Sequence, residues 1–152
     1  MIQLQKVTEI TISYRPKRSS TTIRTSIVSS ADAASYLLGG FDQDTIGLQE
    51  QFVIVYLNAA GIPIGLYRAS KGGITGTVVD IRLILSVALK VLATSMIIAH
   101  NHPSGQLKPS RSDEELTRKL KESAKLMDIR LLDHLIFAPD SSFFSFADEG
   151  LI

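Results

Sequence analysis

The sequence predicts an α/β fold: one domain, with a mixed β-sheet flanked by helices. Three observations lead there. Apolar runs of strand length alternate along the chain with stretches whose apolar residues recur at helical spacing. Two strand-like runs, 52–57 and 62–67, are joined by Asn58-Ala59-Ala60-Gly61, which is turn chemistry; they form a hairpin, so the sheet is mixed. The 152 residues, 45% hydrophobic and 20% charged, suffice for one substantial core.

Each element has its own reason. Residues 7–14 alternate like a strand. Residues 15–24 hold Arg15, Lys17, Arg18 and Arg24 beside Pro16, and read as a basic arm. The chain therefore divides into an N-terminal strand and arm, 1–24, and a main domain, 25–152. Ser30 can cap a helix over 31–38, which Gly39-Gly40 stops. Asp80 caps a second helix over 81–93, apolar on most sides and therefore buried. Residues 95–100 form a buried strand, and 101–109, with Pro103, Gly105 and Pro109, a loop. A third helix over 111–127 carries Leu116, Leu120, Ala124 and Met127 on one face, with Glu115 and Lys119 in the favourable i,i+4 order. Strands over 130–137 and 142–146 complete the set, with a helix expected on each face of the sheet.

Composition excludes several functions. A formal net charge of +1 gives no global electrostatic case for nucleic acid. The absence of Cys removes disulfides, Cys-ligated zinc and a thiol nucleophile, and fits a reducing cytoplasm. The N-terminus shows no secretory pattern. The most apolar stretch, 81–99, is interrupted by Arg82, Ser86, Lys90, Thr94 and Ser95, so no membrane span is expected. Gly72, Gly73 and Gly76 make no phosphate loop, because no Gly-Lys-Ser/Thr ends the run; they read as a flexible turn.

The chemistry concentrates at His100-Asn101-His102, followed by Ser110 and Asp113. In extended backbone the two His point the same way. With a carboxylate from a separate segment they make three ligands, leaving one position of a tetrahedral zinc open for water. Each residue also has a plainer reading. A lone His near a strand end is commonly a packed or surface residue. Ser110-x-x-Asp113 resembles a capping box, although Ser112-x-x-Glu115 offers a second and better one, because Glu suits the third position. If Ser112 caps the helix, Ser110 stays in the loop and Asp113 is spare. His134 and Asp133 face opposite ways on a strand; His134 either orients a ligand or is an ordinary core or surface His.

His100-x-His102-x7-Ser110-x2-Asp113 resembles the JAMM (MPN+) metalloprotease motif. The longer strings His100-Asn101-His102-Pro103-Ser104-Gly105 and Pro109-Ser110-x-x-Asp113 are similar to those of the RadC family in particular. So are Glu50-x-Phe52, Leu132-Asp133-His134, and Ser145-Phe146 with Gly150. The likeness runs from about residue 25 to the C-terminus. It implies a JAMM/MPN-like sheet, an architecture related to that of cytidine deaminases. It implies His100, His102 and Asp113 as zinc ligands, Glu50 as general base, and Ser110 as a donor to the developing oxyanion, a contact worth about 2.7–4 kcal/mol of barrier. Read by itself, Glu50 is an ordinary exposed residue at a strand start. Longer RadC proteins carry an N-terminal helix-hairpin-helix segment, for which no room is expected here.

The leading expectation is thus a zinc-dependent hydrolase of a peptide or isopeptide bond. The alternative is a DNA-associated protein, as the family's DNA-repair label suggests: a nuclease, or a binding module using the 15–24 arm. A zinc deaminase is disfavoured by the missing Cys, and a scaffold by the complete ligand set. The sheet's open edges would permit a dimer.

Overall fold

The computed structural model describes Ser13, residues 25–73 and residues 78–152. The expected strand over 7–14 and the basic arm, Ser13 apart, lie outside the described residues, as do residues 74–77 of the Gly-rich run. In chain order the elements are α1 (Ser30–Leu38), β1 (Gln51–Leu57), β2 (Pro63–Lys71), α2 (Ile81–Lys90), β3 (Ser95–Asn101), α3 (Arg111–Lys125), β4 (Arg130–Phe137) and β5 (Phe143–Ser145).

β1 and β3 are buried at every residue, because both lie inside the sheet and both faces are covered. The strand order is β2-β1-β3-β4-β5. β1 runs antiparallel to both β2 and β3, β3 and β4 are parallel, and β4 and β5 are antiparallel. The hairpin and the mixed sheet expected from the sequence are both present. The parallel pair needs a long crossover, and α3 supplies it.

Alternation along the strands sorts their side chains between two cores. Val53, Val55, Leu57, Ile97, Ala99, Leu135 and Phe137 pack with Ala33, Ala34 and Leu37 of α1. Phe52, Ile54, Tyr56, Met96, Ile98 and Leu131 pack with Ile84 and Ala88 of α2 and with Leu120 and Ala124 of α3. One helix thus covers one face and two cover the other. The Tyr56 hydroxyl, which burial makes a weaker acid, donates to the Ile84 carbonyl at 2.9 Å. A Cβ at Gly40 would lie 2.7 Å from Leu66 Cδ1 and 3.0 Å from the Leu37 carbonyl oxygen, so Leu66 would have to shift to admit it.

Several boundaries differ from expectation. Ser29, not Ser30, caps α1, accepting from the Asp32 N–H. β2 continues to Lys71, past the expected end at Tyr67, because its Arg68 to Lys71 half pairs with the start of β1. α2 stops at Lys90 because Leu92 adopts a left-handed φ of 56° and the Ala93 N–H returns to the Ala88 carbonyl. α3 closes in the same way, with Asp128 at φ 55° and Ile129 bonded to Ala124.

Candidate metal centre

β3 delivers the histidines. His100 continues the row of Met96 and Ile98, on the face covered by α2 and α3, and pairs with Phe52 across β1. His102 lies one residue beyond the strand, where its N–H bonds to the Phe137 carbonyl at 2.8 Å and extends the β3–β4 pairing. The first turn of α3 brings Asp113 over the same end of the sheet. His100 Nε2 and His102 Nε2 are 2.9 Å apart. Asp113 Oδ1 is 3.2 Å from His100 Nε2, and Oδ2 is 3.5 Å from His102 Nε2. Each residue offers a ligand atom, and all three atoms lie within 4.8 Å of one another.

The donor set suits a metal ion. His102 Nδ1 is 2.6 Å from the Gln106 carbonyl oxygen, which can only accept. Nδ1 therefore carries the proton, and Nε2 presents a lone pair to the site. Two imidazole nitrogens and a carboxylate oxygen are ligands of first-row divalent ions. Burial by itself would raise the Asp113 carboxyl, but the adjacent His100 and His102 rings and the Ser110 hydroxyl outweigh it and hold the group well below the usual carboxylate range. Asp113 is thus anionic, as a ligand needs to be. The Asp113 carboxylate in turn raises His102, against burial.

Ser110 corrects the expected cap. It, and not Ser112, is the N-cap of α3: its Oγ accepts from the Asp113 N–H at 3.1 Å, while Asp113 Oδ2 accepts from the Ser110 N–H at 2.7 Å. The shorter Asp closes the box, and Glu115 is drawn away by Arg111 at 3.0 Å. The Ser110 hydroxyl also donates to Asp113 Oδ2 at 2.7 Å, so the cap fixes the carboxylate that faces the histidines.

Glu50 precedes β1 and shares with His102, Ser104, Lys108 and Ser110 a cleft of about 410 Å³. A hollow of about 560 Å³ lies instead at the far end of α3, beside Lys121, Lys125 and Arg130, away from these groups. The Glu50 carbonyl accepts from the Gly72 N–H at 2.7 Å, which places Gly72 beside Glu50. Asn101, between the histidines, points to the opposite face and is fully buried. Its Oδ1 accepts from the Gln51 N–H at 2.7 Å, and its Nδ2 donates to the Ile46 and Gln49 carbonyls at 2.7 and 2.9 Å.

His134 faces the site and Asp133 the other side, as strand parity requires. His134 Nε2 is 2.8 Å from His100 Nδ1, so His134 contacts a candidate ligand without being one. Burial, then the neighbouring His100, holds it well below the usual His range. Its Nδ1 meets Thr117 Oγ1 at 2.6 Å. Sequence reasoning passed over Thr117, although it stands one helical turn after Asp113. Asp133 accepts from Ser145 Oγ and from the His134 and Ala147 N–H groups, yet burial keeps its carboxyl above the usual range.

A mixed sheet between one helix and two, with two His and one Asp gathered at the end of its parallel pair, defines an α/β protein with a candidate metal site. Residues 27–151 match the family model for the RadC-like JAB domain, and the chain belongs to that family. It is 45% identical over 104 residues to a UPF0758 protein of Porphyromonas gingivalis, covering 68% of this chain and 46% of that one. It is 43% identical over 102 residues to a UPF0758 protein of Flavobacterium johnsoniae, covering 67% and 44%. A third, from Bacillus licheniformis, is 41% identical over 121 residues, covering 80% and 52%. The chain spans about half the length of the curated relatives it matches. Among the described residues no helix is long and apolar enough to cross a membrane.

Proposed function

We propose that this chain is a zinc-dependent hydrolase of the JAMM type, acting on a peptide or isopeptide bond. The observation that carries this reading is the convergence of His100, His102 and Asp113 beside Glu50 in an open cleft. Zinc is the metal proposed, because two imidazoles and a carboxylate leave one of its four positions open. When bound, zinc supplies a Lewis acid and makes a water nucleophilic near neutral pH.

The chain's own residues do the rest. The Glu50 carboxylate takes a proton from the attacking water and hands it to the leaving nitrogen. The Ser110 hydroxyl turns from Asp113 Oδ2 to donate to the carbonyl oxygen as that atom gains charge. Asp113 stays held by the Ser110 N–H while the hydroxyl is away.

Elemental mass spectrometry of the purified protein, beside His102→Ala, tests the centre. About one zinc per chain, lost in the variant, is expected. A peptide and isopeptide panel then tests the reaction, with Glu50→Gln expected to keep its zinc and lose cleavage. No metal in either protein after zinc is added back overturns the centre. A zinc-loaded chain inert on the whole panel overturns the hydrolase and leaves a binding module or scaffold.

A further inference from the structure

His134 is a fully buried polar group beside the site, and the reaction proposed above gives it no task. It packs with its ring 4.6 Å from that of Phe146, nearly parallel, and 5.9 Å from that of Phe52. The proton positions around it follow from what each partner is able to do. Thr117 Oγ1 lies 2.6 Å from the Asp113 carbonyl oxygen, which only accepts, so the one hydroxyl proton goes there. The threonine oxygen then has only lone pairs left for His134, and His134 Nδ1–H donates to it across 2.6 Å. The His134 ring lies between Phe52 and Phe146, and its nitrogens meet Thr117 Oγ1 and His100 Nδ1, neither of them a carboxylate, so it carries the one proton that the Thr117 contact requires. Its Nε2 is therefore an acceptor, and His100 Nδ1–H donates to it across 2.8 Å. That leaves His100 Nε2 with a lone pair, on the side where His102 Nε2 and Asp113 Oδ1 converge.

We propose that Thr117 and His134 form a one-way hydrogen-bond relay that fixes His100 as its Nδ1–H tautomer, with the Nε2 lone pair aimed at the metal. This rests on the reading of His100, His102 and Asp113 as a metal centre. His102 obtains the same tautomer more simply, from the Gln106 carbonyl. The relay begins and ends on ligand residues: from the backbone of Asp113 on α3, through β4, to the ring of His100 on β3. It thereby sets the spacing of two ligands that come from different elements. Neither Thr117 nor His134 touches the ion; both are positioning residues.

Two measurements test it. In metal-free wild-type protein, long-range 15N–1H spectra of the imidazoles are expected to show His100 and His134 both protonated at Nδ1. Zinc affinity is then read by competition with a chromophoric chelator. Thr117→Val keeps the shape and removes the hydroxyl; a loss of about 10–100-fold in zinc affinity is expected, and Thr117→Ser restores it. A simple packing role would not move the His134 tautomer, whereas Thr117→Val is expected to release it. His134 found with its proton on Nε2, or Thr117→Val binding zinc as tightly as wild type, overturns the relay. A wild-type chain that takes up no zinc overturns the metal reading instead, and the spectrum of that same metal-free protein still decides the relay.

Discussion

Replacing Ser110 by Ala separates the structural from the chemical duty of that residue. In the fold its Oγ accepts from the Asp113 N–H at 3.1 Å and donates to Asp113 Oδ2 at 2.7 Å. Loss of an N-cap oxygen costs about 1 kcal/mol, within roughly 0.5–2. The hydroxyl–carboxylate bond is charge-assisted, but Ser110 is exposed, so its share is a few tenths of a kcal/mol at most, by the rule for solvent-screened pairs. The expected loss is about 1–2 kcal/mol, or a fall in Tm of about 3–6 °C for a chain of this size. Ser112→Ala, on an exposed residue outside the cap, is expected to stay within about 0.5 kcal/mol of wild type. Urea unfolding of metal-free protein measures both, with m unchanged. The metal-free state matters, because a bound ion stabilises the fold in proportion to the logarithm of its concentration. A larger loss for Ser112→Ala than for Ser110→Ala refutes the cap assignment.

Two further outcomes follow from the same geometry. Leu92 is 78% exposed and holds a left-handed φ of 56° after α2. Leu92→Gly relieves a strain of about 1–2 kcal/mol against a cost in unfolded-chain entropy, so a gain of about 0.5–1 kcal/mol is expected; a destabilised variant in thermal unfolding contradicts it. Asp133 has its carboxyl raised above the usual carboxylate range by burial. A raised folded value means a contribution to stability that is present below the unfolded value and lost as pH rises through the folded one. Asp133→Asn removes that slope, which reaches at most about 1.4 kcal/mol per pH unit. The variant is expected to gain on wild type as pH climbs from about 4 toward neutral, and a constant difference across that window argues against it.

Much of this fold is legible in the sequence where residues have only one use. Residues 130–137 read as a strand because Leu131, Leu132, Leu135, Ile136 and Phe137 make them largely apolar on both parities, and β4 has those bounds. The same uniformity hides which face His134 takes, since Leu131, Leu132, Leu135 and Ile136 flank it on both parities. Its direction is set by pairing, with Ile98 opposite it across β3. The ends of α2 and α3 escape detection because Leu92 and Asp128 occupy the left-handed positions where glycine would announce a stop. The convergence of His100, His102 and Asp113 is visible in the spacing. The cap is not, because Ser110 and Ser112 each stand three residues before an acid, and α3 takes Ser110 with Asp113. Thr117 is silent for a similar reason, since a threonine on a helix bonds its own backbone in many proteins with no further role.

The tripeptide at the centre works like a rivet through the sheet. Its outer residues face α3, and its middle residue grips the chain at Ile46, Gln49 and Gln51 from behind. Glu50 stands inside that grip, with the Gln49 carbonyl and the Gln51 N–H on either side of it both bonded to Asn101. The cleft therefore has one wall tied from behind by Asn101 and one that faces solvent. The solvent-facing wall is 103–109, whose Ser104, Gly105, Gln106 and Lys108 are exposed. It is held at its root by His102 against Phe137 and by Gln106 against the His102 ring. A guest too wide for the cleft would be admitted by displacing that wall, and the Gln106 contact that orients His102 would be the first tie it strains.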